Sequence, residues 1–157
     1  MNLLLLNTLL ALGWAALVGS FALPSLLVGF AIGHVALWVT RPLFGATTYF
    51  ERVWRLLWLA VFFVYELVAS SLRVLWDVVT PTHLSRPGIV AMPLDAKGEG
   101  EIFLVASLIS LTPGSLSLDV SPDRTSLYVH AMFVDDPETL RRRLKRGIER
   151  RVLKALA

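Results

Sequence analysis

At 157 residues, 55% hydrophobic and only 17% charged, the chain is too apolar for an ordinary soluble domain of its size. It has no cysteine, which excludes a disulfide framework, a thiolate metal site and a cysteine nucleophile. All 15 Lys and Arg lie at or beyond Arg41, eight of them between Arg141 and Lys154. The net charge of +3 therefore averages an uncharged N-terminal region with a basic tail, a pattern of membrane proteins and not of nucleic-acid binders.

Residues 3–39 are uncharged, about twice the roughly 20 residues one helical span needs, and Pro24 falls where a turn would separate two passes. This predicts a hairpin of helices over about 3–22 and 25–39, the second short enough to be re-entrant. No Lys or Arg precedes the first apolar run, so it reads as a retained membrane segment and not as a cleaved signal. Small residues recur every four positions, Ala11, Ala15 and Gly19 on the first helix and Ser25, Gly29 and Gly33 on the second. Such stripes let helix backbones approach where lipid supplies no hydrophobic drive for association. His34 lies inside the second helix, either as a polar contact to a neighbouring helix or as a proton relay. Arg41 and Pro42 end that helix, because proline cannot continue the hydrogen-bond ladder.

A third apolar helix is predicted over 53–79. Trp54 and Trp58 mark one end and Trp76 the other, and 22 residues separate Trp54 from Trp76 by roughly 33 Å, the distance between two interfacial aromatic belts. On that reading Glu66 falls near the bilayer centre. Glu66, Ser70, Arg73 and Asp77 share one helical face. Arg73 can pair with Asp77, whereas Glu66 needs a partner outside its own helix. Intramembrane ionisable groups of this kind point to an ion path or to polar contacts between subunits.

Beyond Pro81 the pattern changes to a small α+β domain in β-α-β-β-α order. The expected division is thus 1–80, an α-helical membrane region of three hydrophobic helices, and 81–157, the α+β domain. GIVAMPL (88–94) reads as an edge strand because of Pro93. Residues 101–111 read as a helix buried through Ile102, Val105, Ala106 and Ile109, with strand as the alternative. SLSLDVS alternates, with Leu116, Leu118 and Val120 expected inward, and Leu127, Val129, Ala131 and Phe133 form its hairpin partner. The last helix opens at Asp135 and Asp136 before Pro137 and Glu138, a capping residue, a proline and an acidic first turn. Its apolar ridge is Leu140, Leu144, Ile148 and Val152. Arg141, Arg142, Arg143, Lys145, Arg146, Arg150 and Arg151 form a basic surface that is either a solvated face or a contact for anionic lipid or an acidic partner. His83 and His130 stand apart, and there is no nucleophile elbow, phosphate loop or metal-ligand grouping, so no catalytic residue, metal or cofactor is assigned.

Residues 66–79 and the segments SLISLTPGSLSLDVSPD (107–123), LYVHAMFVDDPE (127–138) and GIERRVL (147–153) resemble the E-type subunit of the Mrp-type (Mnh or Pha) multisubunit Na+/H+ antiporters. The resemblance covers nearly the whole chain. It implies an accessory, non-enzymatic component in the bacterial inner membrane, multi-pass, with a cytoplasmic C-terminal domain. It also implies that the partners are the other antiporter subunits and membrane lipids, with no nucleic acid, and that the complex moves Na+ and H+. One departure is Arg124, where a glycine is expected after Asp123. The reading in another class is a membrane-anchored interaction module whose basic C-terminal helix binds anionic lipid or an acidic cytoplasmic partner.

Overall fold

The computed structural model describes residues 3–44, 47–81 and 84–156. The chain forms two compact units, Met1–Val53 and Trp54–Ala157. The change from apolar helix to polar chain at 80/81 is thus not where the contacts divide, because most of the third helix belongs with the C-terminal unit.

In the first unit, α1 (Leu3–Val18) and α2 (Leu23–Val39) are 16 and 17 residues long, or about 24 and 26 Å. They run antiparallel, since Gly33 lies against Asn7 and Leu10 while Gly29 lies against Ala11 and Trp14. α1 stops at Val18, not near residue 22, because Gly19 takes φ 72°. The Ser20 N–H then reaches Ala15 O at 3.0 Å and the Gly19 N–H reaches Ala16 O at 3.2 Å, a left-handed cap that satisfies the last carbonyls. Pro24 is in the first turn of α2 and not in the loop, where its missing N–H costs nothing. A short 3₁₀ turn, Arg41–Leu43, follows Thr40.

α3 (Tyr49–Val79) is 31 residues long and from Trp54 onward is part of the second unit. There β1 (Gly88–Pro93), α4 (Glu99–Leu111), β2 (Ser115–Val120) and β3 (Ser126–Ala131) precede a final helix. The sheet is antiparallel with order β1-β3-β2. The final helix comprises α5 (Pro137–Leu144), a wide π turn Lys145–Glu149 and α6 (Arg150–Leu156). A ridge with strict four-residue spacing drifts by about 40° per step on an α-helix. The π turn inserts extra chain and returns Val152 and Ala155 to the core side. Met92, Val105, Ile109, Leu127, Val129, Leu144, Ile148 and Val152 form that core, and Leu59 of α3 joins it with Phe62 packed alongside.

β2 has the expected alternation but the opposite facing. Leu116 and Leu118 are exposed, while the Ser115 hydroxyl donates to Ile109 O (2.8 Å) and the Ser117 hydroxyl to Ala106 O (2.9 Å). A close approach of the α4 backbone favours small hydroxyl residues over leucine there, and a register shift between Ser117 and Asp119 then turns Val120 inward. Arg124 sits at φ 57° in the β2–β3 turn, the left-handed region that favours glycine, and its guanidinium pairs with Glu99 at 2.9 Å.

Candidate functional site

Among the small residues predicted to pack the hairpin, Ala11, Ala15, Gly29 and Gly33 are buried. A Cβ on Gly29 would come within 2.8 Å of Trp14 Cβ and 2.9 Å of Ala11 O, and one on Gly33 would collide with Asn7 Oδ1. Gly19 is not part of this stripe: among the described residues nothing lies within 4 Å of a Cβ there, and its work is the helix cap. Ser25 is half-buried in the first turn of α2, and its hydroxyl has no hydrogen-bond partner among the described residues.

At the end of the stripe three elements converge on a polar cluster. Asn7 of α1, fully buried, donates from Nδ2 to Tyr49 Oη at 2.7 Å. His34 Nδ1 of α2 lies 3.4 Å from the same hydroxyl, and its ring meets Phe50 edge-on at 5.2 Å. Asn7 Oδ1 has no hydrogen-bond partner among the described residues. His34 is thus brought together with two residues that sequence reasoning passed over. The signal was present, since Asn7 is the one side-chain amide between residues 3 and 157. A buried amide inside an apolar helix is as informative as a charge.

The polar row on α3 does not act as one group. Glu66 finds its partner in the same chain, where Arg143 Nη2 of α5 lies 2.9 Å from Oε2. The Ser70 hydroxyl donates back to Glu66 O at 2.5 Å. Asp77 does not pair with Arg73; its Oδ1 accepts the Leu84 N–H (2.5 Å) and the Ser85 N–H (3.1 Å), so it holds the chain leaving α3. Arg73 has no ion pair among the described residues. It lines a small cavity of about 60 Å³ with Phe62, Glu66, Ser70, Thr112 and Arg143.

Several of the basic residues are also used internally. Arg141 pairs with Glu138, Arg142 donates to Glu138 O (3.3 Å), and Lys145 pairs with Asp95 at 2.9 Å. The Arg151 guanidinium sits 3.8 Å above the Phe62 ring and donates to Gly147 O. Arg146 and Arg150 remain exposed, without an ion pair among the described residues. Within GIERRVL the residue that sequence reasoning missed is Glu149. It is 1% exposed, and its Oε1 accepts the Asp95 N–H (2.6 Å) and the Ala96 N–H (3.0 Å), fixing the β1–α4 loop.

Hydrogen bonding also sets the carboxylates at the edges of the domain. The Asp136 carboxylate is held below its ordinary range by the Thr139 hydroxyl and then the Thr139 N–H, at the cap of α5. Asp123 is lowered by Ser121 and Thr125, and Glu101 by the Gly98 and Lys97 N–H groups. Among the described residues no group of three metal-ligating side chains occurs. His83 lies outside the described residues.

A family pattern described as Na+/H+ ion antiporter subunit matches residues 7–155. The chain belongs to that family. Among its relatives, the E-type Na+/H+ antiporter subunit of Alkalihalophilus pseudofirmus is 36% identical over 150 residues, covering 96% of this chain and 95% of the relative. The corresponding E-type antiporter subunit of Bacillus subtilis is 35% identical over 135 residues, covering 86% and 85%. Among solved structures, a chain of the Mrp complex from Dietzia sp. DQ12-45-1b has a TM-score of 0.51 at 30% identity, covering 66% of this chain and 96% of that one. A chain of an archaeal respiratory membrane complex, the membrane-bound sulfane sulfur reductase, has a TM-score of 0.54 at 25% identity, covering 85% and 84%. The family is that of a transporter component.

Proposed function

We propose that the chain is an accessory, non-enzymatic subunit of a multisubunit monovalent cation/proton antiporter in the bacterial inner membrane. In this reading the α1–α2 hairpin crosses the bilayer, the C-terminal domain is cytoplasmic, and the Na+ and H+ are moved by the complex. The match to an E-type antiporter subunit over almost the full length of both chains carries the proposal. The size of the membrane part supports it, since two short apolar helices and α3 cannot enclose an alternating-access path.

Within that role Glu66 is a structural clamp and not an ion carrier, a reading supported by its 2.9 Å pair with Arg143. Arg73, with no ion pair among the described residues, is the better candidate for a polar contact to another subunit, and His34 helps hold the hairpin through Tyr49. The reading of the basic helix as a lipid or acidic-partner dock is weaker, because Arg143, Lys145 and Arg151 already have partners inside the domain.

A charge swap tests the clamp. Glu66→Arg should reduce recovery of the complex and Na+-driven proton exchange in everted vesicles, and adding Arg143→Glu should restore both. A double variant that assembles normally but exchanges no protons would return Glu66 to the ion path.

A further inference from the structure

We propose that α3 lies in the plane of the membrane, its outer face resting in the lipid interface, and does not cross the bilayer. The proposal rests on what each face of the helix touches and goes beyond the antiporter reading.

One face is occupied by the C-terminal domain along most of its length. Arg55 Nη1 donates to Lys154 O (3.3 Å), Leu59 enters the core, Phe62 lies under Arg151, Glu66 pairs with Arg143, and Val74 lies against Gly114. From Arg55 to Val74 is about 28 Å of helix, nearly the roughly 30 Å thickness of the hydrocarbon layer. If α3 crossed, it would carry the arginines of the final helix and the open edges of the sheet, β1 and β2, into hydrocarbon. Open sheet edges and unscreened guanidinium groups are not tolerated there.

The other face is a continuous apolar stripe. Trp54, Trp58, Val61, Tyr65, Val68, Leu72, Trp76 and Val79 fall within about 40° of one line, and all are more than half exposed. The stripe is centred roughly 140° around the helix from the domain-facing row. Three tryptophans and a tyrosine along its whole length suit the headgroup boundary, where amphipathic rings partition. Guanidinium groups flank it: Arg151 shares a cavity with Trp58, Val61 and Tyr65 near one end, and Arg73 shares a groove with Trp76 and Arg86 near the other. Asp77, Asp135 and Asp136 line that groove as well, so the aromatic stripe, and not net positive charge, is what suits the boundary. The 31 residues, about 46 Å, also exceed what a perpendicular crossing uses.

The test uses the full chain, which has no native cysteine, in vesicles of phosphatidylethanolamine and phosphatidylglycerol. Nitroxides are attached to Trp58→Cys, Tyr65→Cys and Leu72→Cys, and their depth is read from collisions with oxygen and with a water-soluble nickel chelate. An in-plane helix gives one shallow depth at all three sites, about 5–10 Å below the headgroups. A crossing helix would put residue 65 about 10 Å deeper than either of the others and overturn the proposal. Labels shielded from both colliders would overturn it as well, showing that protein covers the stripe. Val61→Cys and Val68→Cys, on the same stripe, repeat the measurement should a tryptophan replacement disturb folding.

Discussion

Replacing Glu149 by leucine should be among the most damaging single changes in the C-terminal domain. The side chain is 1% exposed, and Oε1 accepts two backbone N–H groups at 2.6 and 3.0 Å. Leucine, apolar and without an acceptor, leaves the buried Ala96 N–H and the part-buried Asp95 N–H unpaired, and a buried unpaired donor costs about 1–3 kcal/mol, less where water reaches it. A loss of about 2–4 kcal/mol is expected, a large part of a typical stability of about 5–15 kcal/mol. For a domain of this size each kcal/mol moves the midpoint by about 4–8 °C, so thermal unfolding followed by circular dichroism should fall by at least about 8 °C. Glu149→Gln keeps an acceptor oxygen in place and should stay within about 1 kcal/mol of the parent, since neutral and charged acceptors differ by that order. If the leucine and glutamine variants melted together, the loop bonds would not be what Glu149 supplies.

Gly33→Val places side-chain atoms where Asn7 Oδ1 now lies, and overpacking of this kind costs about 1–3 kcal/mol. The hairpin should unfold at lower mole fraction of sodium dodecyl sulfate, whereas Gly19→Ala should leave the hairpin packing intact and loosen only the cap. Tyr49→Phe leaves the Asn7 amide unpaired at a cost of about 1–3 kcal/mol, and combining it with Asn7→Leu should recover part of the loss in a double-mutant cycle. The lowered pKa values of Asp136, Asp123 and Glu101 fix a sign for acid unfolding. Their contribution is complete above the ordinary carboxylate range near pH 4 and disappears as the pH falls through the lower folded-state values. Asp136→Asn should therefore flatten the acid limb of a stability–pH curve, and an unchanged limb would remove Asp136 from the set of groups responsible.

Local signals were the legible ones. Asp136 and Pro137 announced the start of α5, and Ile102, Val105 and Ile109 share a buried face as their spacing requires. Gly29 and Gly33 were readable as points of close approach because a small residue in an apolar helix has few other uses. Gly19 obeyed the same spacing but does different work, and spacing alone does not distinguish a packing glycine from a terminating one. Leu116 and Leu118 misled for a related reason. Alternation defines two faces of a strand, but which face is covered depends on how closely α4 approaches. The contacts most relevant to function were the least legible: Glu66 meets Arg143 across 77 residues, and Glu149 meets Asp95 across 54. No local pattern encodes such pairs, although the unmatched charge of Glu66 showed that a partner had to exist.

The two helices of the hairpin, about 24 and 26 Å long, are shorter than the roughly 30 Å of hydrocarbon they would meet in a bilayer. In the proposed crossing arrangement the lipid around them must thin, at a fraction of a kcal/mol for every ångström of hydrophobic mismatch. A neighbouring polypeptide of similar height removes that cost without any specific bond. A hairpin that crosses in this way carries a thickness-based bias toward protein neighbours over lipid, and recovery of the assembled complex should depend on the acyl-chain length of the surrounding membrane.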